Sequence, residues 1–139
     1  MQLEELQIKK SGEISTDKKL IYIVDDDESV CAALKVLMVT YGFSVRTFSS
    51  AEDFFSAVPN TTKGCLILDI HMPGLDGWEA QSRLLKSGSK RPIIIISADK
   101  DVSLRERAFK IGAQGFLQKP FNGHELVCFV NKVYRRAMV

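Results

Sequence analysis

The stretch LILDIHMPGLDG, residues 66–77, decides the fold of this chain. It continues an apolar run that begins at Cys65, has the length of a strand and stops at Asp69. Unbroken apolar runs of this length are typical of strands that are buried on both faces, as in a parallel sheet. A carboxylate at the end of a buried strand is unusual. The residues that end the other strands explain why it is there.

Five predicted strands alternate with five predicted helices from Leu20 onward. The strands are expected at 20–24, 43–48, 65–68, 92–96 and 115–118, and apolar residues at helical spacing follow each of them. We predict that Ser49 and Glu52 form the capping box of the second helix and that Asn122 caps the fifth. Because strands separated by helices pair in parallel through right-handed crossovers, the pattern predicts one open α/β sheet with helices on both faces. The first, third and fourth strands are the most apolar and should be central.

Length and composition fit one globular domain. The chain has 139 residues, of which 45% are apolar, enough for a packed core. Residues 1–19 are polar and are expected to form a tail or linker, residues 20–136 the domain, and residues 137–139 its end, with no output domain. No apolar run approaches the roughly 20 residues of a membrane span, and the N-terminus lacks the apolar core of a signal peptide. We therefore expect a cytoplasmic protein that makes no membrane contact.

Charge and cysteine content argue against several kinds of partner. Lys and Arg number 19 and Asp and Glu number 17, and this net charge of +2 predicts no direct binding to nucleic acid. Cys31, Cys65 and Cys128 are odd in number and widely spaced among apolar residues, which predicts reduced core residues rather than disulfides or a zinc site. Neither of the glycine-rich phosphate-binding loops of nucleotide-binding folds follows a strand.

Most of the predicted strands end at a residue that can carry chemistry. Asp25 and Asp26 follow the first strand, Asp69 the third, Ser97 the fourth and Lys119 the fifth. Parallel strands end at one edge of the sheet, where open α/β folds bind ligands. Three close carboxylates repel one another unless a cation lies among them, and a site of oxygen ligands favours Mg²⁺. Lys119 and Ser97 would then bind phosphoryl oxygens, and Asp69 would be the nucleophile that forms an acyl phosphate.

Several motifs at these strand ends resemble the receiver domain of two-component response regulators. They are Val24-Asp25-Asp26, Leu68-Asp69 with Met72-Pro73-Gly74 and Asp76-Gly77, Ile96-Ser97-Ala98, and Lys119-Pro120-Phe121. The resemblance runs from about Leu20 to Arg136. It implies a flavodoxin-like (CheY-like), doubly wound parallel sheet with strand order 2-1-3-4-5, in which the first and third strands flank the ligand site.

The resemblance implies a phosphorylation-activated signalling switch rather than an enzyme, with at most self-phosphorylation from a donor and autodephosphorylation. Asp69 would accept a phosphoryl group from a sensor histidine kinase or a phosphotransfer protein in a Mg²⁺-dependent reaction. The expected ligands of Mg²⁺ are Asp25, Asp26, Asp69 and the backbone carbonyl of His71. The resemblance names neither the kinase nor the downstream target, and it leaves open a phosphorylation-dependent homodimer.

A further set of residues is implied to sense the phosphoryl group. Ser97, Ala98 and Lys119 would contact it, with the bond from Lys119 to Pro120 in the cis form that proline permits. Phe116 would turn inward behind Ser97, which changes the face made by the fourth helix, the fifth strand and the fifth helix. Such a change is a population shift of a bistable element that a partner reads.

His71 and Asp99 lie two residues after the phosphoacceptor and two after the hydroxyl residue, respectively. In similar domains these positions line the path of the hydrolytic water. We therefore predict that this pair tunes autodephosphorylation.

Two other functions remain to be weighed. A Mg²⁺-dependent phosphohydrolase with an aspartyl nucleophile would resemble a pattern with a second Asp two residues after the first, but His71 occupies that position. A degenerate receiver that only binds a partner would lack the acceptor, the acidic pair or the lysine, and this sequence has all of them. The pattern favours the switch.

Overall fold

The computed structural model describes residues 7–8, 14–15, 19–71, 76–88 and 90–137. Five strands and five helices alternate in the order β1 (Leu20–Val24), α1 (Glu28–Thr40), β2 (Ser44–Phe48), α2 (Ala51–Ala57), β3 (Cys65–Asp69), α3 (Gly77–Lys86), β4 (Ile93–Ser97), α4 (Ser103–Lys110), β5 (Gly115–Gln118) and α5 (Gly123–Ala137). Before them, Gln7–Ile8 pairs antiparallel with Ile14–Ser15. Among the described residues, no helix has the length and apolar character that crossing a membrane requires.

The five strands form one parallel sheet in the order β2-β1-β3-β4-β5, which confirms the predicted strand order 2-1-3-4-5. Successive side chains of a strand point to opposite faces. Ile21 and Ile23 therefore pack toward α1 and α5, whereas Tyr22 and Val24 pack toward α2, α3 and α4. Strands β1, β3 and β4 are central and almost wholly buried, as their unbroken apolar sequences predict.

Short polar side chains after the strands cap the starts of several helices. Asp27 caps α1 by accepting hydrogen bonds from the backbone N–H groups of Ser29 and Val30 at 2.9 and 3.3 Å. The Asn122 side chain accepts from the backbone N–H of His124 at 2.8 Å at the start of α5. These caps orient the helices whose first turns surround the candidate site.

Two predictions from the sequence are wrong in detail. The cap of α2 is Ser50, whose Oγ accepts from the Asp53 backbone N–H at 3.1 Å, and not Ser49, because the helix starts at the buried Ala51 and Ser50 has the extended backbone of a cap. Cys128 is exposed, whereas Cys31 and Cys65 are buried as predicted. The buried positions of α5 on either side of it leave Cys128 on the outer face of the helix.

Candidate functional site

The carboxylates of Asp25, Asp26 and Asp69 meet at the carboxyl edge of the sheet. One oxygen from each lies within 4.8 Å of the others. Strands β1 and β3 are neighbours, and the pairing of Val24 with Leu68 places the residues that follow them side by side. Asp25 and Asp69 are buried and Asp26 is exposed, so the cluster opens to solvent on one side. The structure thus brings together all three carboxylates that the sequence predicts.

Lys119, which follows the edge strand β5, also contacts this cluster. Its Nζ lies 2.7 Å from Asp25 Oδ2 and 3.3 Å from Asp69 Oδ2. Its backbone N–H donates to the carbonyl of Ser97 at 2.6 Å, which anchors the end of β5 to the end of β4. The Lys119–Pro120 peptide bond is cis. One ammonium group therefore faces three carboxylates.

The surroundings shift the pKa values of two of these groups. Burial raises the pKa of the Asp69 carboxyl, the charge of Asp25 raises it further, and the backbone N–H of His71, 3.0 Å from Asp69 Oδ1, opposes the rise together with Lys119. Burial by itself lowers the pKa of Lys119, but its hydrogen bonds and charge interactions with Asp25 and Asp69 outweigh that effect and raise it. Three carboxylates beside one ammonium give the cluster an excess of negative charge.

The donor set fits a small, hard divalent cation. Its three side chains offer oxygen atoms only, and neither a cysteine nor a histidine side chain belongs to the described cluster. Mg²⁺ takes such ligands and keeps several water molecules, which the exposed side at Asp26 leaves room for. The residues present therefore fit a bound Mg²⁺ ion.

Ser97 and Phe116 lie beside the cluster on β4 and β5. Ser97 is fully buried, and its Oγ accepts a hydrogen bond from the backbone N–H of Asp99 at 3.0 Å. Ala98, the next residue, is exposed. Phe116 is buried in the core between the sheet and α4, together with Ala108 and Ala113. Its ring thus already packs inward in this structure.

His71 and Asp99 form a contact between the two loops at the mouth of the cluster. His71 Nε2 lies 3.6 Å from Asp99 Oδ2, and both side chains are about half exposed. His71 follows β3 and Asp99 follows β4, so the contact bridges the loops after the two central strands. The Met72-Pro73-Gly74 motif lies outside the described residues.

Gly77 is a residue whose role the sequence did not reveal. A Cβ atom on Gly77 would lie 2.3 Å from Ile70 Cα and 2.8 Å from the carbonyl oxygen of Asp69. Its backbone N–H donates to the carbonyl of Ile70 at 3.2 Å. The absent side chain therefore lets α3 pack against the end of the strand that carries Asp69. The available signal was a glycine at the first position of a helix, where it is a poor helix former.

Known proteins share this arrangement. A family profile described as the response regulator receiver domain matches residues 21–131. The transcriptional regulatory protein FixJ of Bradyrhizobium diazoefficiens is 38% identical over 122 residues, which are 88% of this chain and 60% of that protein. The response regulator protein TodT of Pseudomonas putida is 42% identical over 114 residues, which are 82% of this chain and 50% of that protein.

A solved structure described as FixJ-N superimposes with a TM-score of 0.77 at 31% identity, covering 84% of this chain and 94% of that one. The chain spans about half to three fifths of the length of the curated relatives it matches. The likeness therefore concerns one domain of those longer proteins.

Proposed function

The chain belongs to the response regulator receiver domain family, and from that premise we propose that Asp69 is its phosphoacceptor. Receiver domains of this family are phosphorylation-activated signalling domains of two-component systems. The observation that supports Asp69 is the meeting of three carboxylates and the Lys119 ammonium at one edge of the sheet. Asp69 lies at the centre of that group, at the end of β3.

The reaction is the transfer of a phosphoryl group between two side chains. An oxygen of Asp69 attacks the phosphorus of a phosphohistidine, the P–N bond breaks, and the imidazole leaves with the electron pair. Histidine kinases supply such groups to receiver domains, and a kinase or a phosphotransfer protein is the donor that we propose here. The attack requires an ionised Asp69, although burial raises the pKa of this carboxyl.

A bound Mg²⁺ ion would supply the positive charge that the pocket lacks. Receiver domains generally use Mg²⁺ at an acidic pocket, and we propose that Asp25, Asp26, Asp69 and the backbone carbonyl of His71 hold it here. Such an ion favours the ionised form of Asp69 and offsets the charge of the incoming phosphoryl group.

Lys119 and Ser97 then bind the transferred group. Lys119 exchanges its carboxylate partners for a phosphoryl oxygen, which its position 3.3 Å from Asp69 permits. Ser97 Oγ accepts from the backbone N–H of Asp99 and keeps its own proton free to donate to a second phosphoryl oxygen. Ala98, exposed beside Ser97, leaves the approach to that oxygen uncrowded.

The output surface is the α4-β5-α5 face. Between the loop before α4 and the loop after β5 lies a cleft of about 300 Å³, and its lining includes Val102, Arg105, Phe116, Pro120 and Phe121. Movement of Ser97 toward the phosphoryl group pulls the loop before α4 against Phe116, whose ring already packs inward, and this changes the shape of the cleft. A downstream partner, or a second copy of the chain, reads the change.

The contact between His71 and Asp99 belongs to the same proposal as a control of phosphoryl lifetime. The pair spans the mouth of the pocket, where water must enter to hydrolyse the acyl phosphate. The double variant His71→Ala, Asp99→Ala should change the decay rate of phosphorylated protein severalfold, whereas Asp101→Ala, two residues further along the same loop, should not. Equal decay rates for wild type and the double variant would remove this role.

Intact mass after incubation with a small-molecule phosphoryl donor tests the central proposal. We expect wild type to gain one phosphoryl unit only when Mg²⁺ is present, and Asp69→Asn to gain none. Asp76→Asn is the matched control, because it makes the same change at the cap of α3, where asparagine caps as well as aspartate. It should be phosphorylated like wild type.

Two other outcomes would favour other functions. A folded protein with no mass gain under any condition would favour a phosphate-independent binding module. Sustained turnover of small phosphomonoesters would favour a phosphohydrolase.

We also propose that residues 20–136 form the receiver domain, with residues 1–19 as a leading tail and residues 137–139 as its end.

A further inference from the structure

The acidic side chains that the structure describes are confined to one edge of the sheet. Every described Asp and Glu lies at the carboxyl end of a strand, in the loop that follows it, or in the first four residues of a helix. In a parallel sheet with returning helices, all of these positions belong to the carboxyl edge. The opposite, amino edge therefore carries no carboxylate among the described residues.

The amino edge is rich in exposed cations. It consists of the loops that enter the strands and of the carboxyl ends of the helices. The exposed cationic side chains there include Lys19, Lys63, Lys86, Lys90, Lys110 and Arg135. A surface of one sign of charge attracts a polyanion even when the net charge of the domain is close to zero.

Three of these lysines stand in a row. Lys19, Lys63 and Lys90 precede β1, β3 and β4, which are adjacent strands. Adjacent strands are roughly 4.8 Å apart, so the three chains emerge over roughly 10 Å. The spacing of roughly 4.8 Å between neighbouring chains is of the same order as the spacing of phosphates along a nucleic-acid strand, which carries one charge per about 3.4 Å of axis.

The side chain of Arg91 fixes the loops that carry two of these lysines, Lys63 and Lys90. Its Nη1 donates to the carbonyl of Gly64 at 3.0 Å and its Nη2 to the carbonyl of Pro59 at 3.1 Å. The loop that carries Lys63 is thereby tied to the loop that carries Lys90. Cations presented on loops that are already ordered lose little entropy when they bind.

Helix electrostatics account for only part of this pattern. Lys86 and Lys110 end helices, where a cation is favoured by the helix dipole. Lys19, Lys63 and Lys90 lie in loops, so that explanation does not reach them. A protein partner would need an apolar centre, and the exposed Leu85 and Tyr41 near this edge end helices on opposite faces of the sheet.

We propose that the amino edge of the sheet binds the phosphate backbone of a nucleic acid. Binding is independent of base sequence, because lysines that contact phosphates carry no sequence information. The expectation of no nucleic-acid binding rested on the net charge of +2, which averages the two edges. The proposal concerns the edge opposite the phosphoacceptor and does not depend on phosphorylation.

Fluorescence anisotropy of a labelled 20-base-pair duplex of arbitrary sequence tests the proposal with the full chain. Wild type should bind at 50 mM salt and lose affinity linearly on a log–log plot as salt rises, by a slope of about 0.9 per phosphate neutralised. The triple variant Lys63→Gln, Lys86→Gln, Lys90→Gln should bind at least about tenfold more weakly and with a smaller slope.

A second triple variant, Lys35→Gln, Lys100→Gln, Arg105→Gln, is the matched control. It makes the same change in net charge at exposed residues away from the amino edge, and its affinity should stay within about twofold of wild type. Equal weakening by both triple variants, or no binding at 50 mM salt, would overturn the proposal. So would binding to vesicles of anionic phospholipid through the same lysines without binding to the duplex, since the edge would then recognise a membrane surface.

Discussion

The two edges of the sheet each hold a cation that is at least partly buried, Lys119 at one edge and Arg91 at the other, and the two are held in different ways. At the carboxyl edge, Lys119 contacts the carboxylates of Asp25 and Asp69. At the amino edge, Arg91 donates to backbone carbonyls, and its guanidinium lies 4.9 Å from the centre of the Tyr22 ring. Lys119 can give up its two carboxylates to a metal ion because they carry negative charge, whereas the neutral carbonyls and the aromatic ring around Arg91 carry no net charge that would attract one. Lys119 at the carboxyl edge can therefore exchange its partners, whereas Arg91 at the amino edge keeps its own.

Tyr134 adds to the fixed character of the amino edge. Its hydroxyl donates to the carbonyl of Leu20 and accepts from the backbone N–H of Cys65 at 3.3 Å, so α5 is fastened to β1 and β3. Burial raises the pKa of Tyr134 to about 12, so these bonds persist through the physiological pH range. The hydrogen bonds that stabilise the amino edge therefore lie one strand length away from the carboxylates of the candidate site.

The largest effects should come from a matched pair of glycines, one at each edge. Gly64→Ala places a Cβ 2.4 Å from Tyr22 Cε2 on backbone with φ of +139°, and Gly77→Ala places one 2.3 Å from Ile70 Cα. Each variant should lose about 3 kcal/mol of unfolding free energy. Only Gly77→Ala should also weaken Mg²⁺ binding, by about tenfold in calorimetric titration, because relieving its clash moves the end of β3. Equal Mg²⁺ affinity for the two variants would break the comparison.

Replacing the two cations, Arg91 and Lys119, should sharpen the comparison between the two edges. Arg91→Met should lower the unfolding free energy by about 2–3 kcal/mol, because the buried Gly64 carbonyl loses its donor and the loop at Pro59 loses a hydrogen bond, and Mg²⁺ should not restore that stability. Without Mg²⁺, Lys119→Met should lower the unfolding free energy by about 1–2 kcal/mol, because Asp25 and Asp69 then face each other without a cation. Added Mg²⁺ should restore most of that stability. Urea unfolding with and without Mg²⁺ measures both. Restoration of Arg91→Met by Mg²⁺ would contradict the separation of the edges.

Asp69→Asn should stabilise the metal-free protein. The raised pKa of Asp69 means that its ionisation costs stability, so the penalty is absent below the ordinary value of 3.8 and fully present at neutral pH. The variant should therefore gain roughly 1 kcal/mol at pH 7 and nothing near pH 3, as measured by urea unfolding at both pH values. Asp53→Asn, at an exposed helix start, should show no such gain. A destabilised Asp69→Asn variant at pH 7 would contradict the picture of a pocket short of positive charge.

The smallest effect concerns the seam between α3 and α4. Gln81 is buried, its Nε2 donates to the carbonyl of Ala108 at 3.0 Å, and its Oε1 has no hydrogen-bond partner among the residues that the structure describes. Gln81→Leu loses one hydrogen bond and one unpaired oxygen, so stability should change by less than about 1 kcal/mol. Amide exchange of α4 should become severalfold faster, while exchange of β1 stays unchanged. Unchanged exchange in α4 would show that this bond does not hold the helix.

Much of the fold and the carboxylate cluster could be predicted from the sequence. Residues at the ends of parallel strands share one edge, so Asp25, Asp69 and Lys119 could be grouped without coordinates. The same reasoning could not choose Ser50 over Ser49 as a cap, since either serine precedes the helix and packing of Ala51 decides where it starts. Nor could periodicity identify the exposed face of α5 on which Cys128 lies.

Arg91 and Gly77 show why the remainder needed tertiary structure. An arginine between a lysine and a proline in a loop predicts a solvated side chain, and only the arrangement of neighbouring loops gives it buried carbonyls to bind. The contact of His71 with Asp99 likewise joins residues that the sequence could place at one edge but not at 3.6 Å.

The sequence by itself determined which residues end each strand, because apolar runs and their polar stops are local features of the chain. Tertiary structure decided which of those residues touch, and among the described residues it placed the carboxylates at one edge of the sheet and a set of exposed lysines at the other. The physical reason is that electrostatic energy depends on distances between groups far apart in sequence. Composition counts charges, and only packing sets the distances between them.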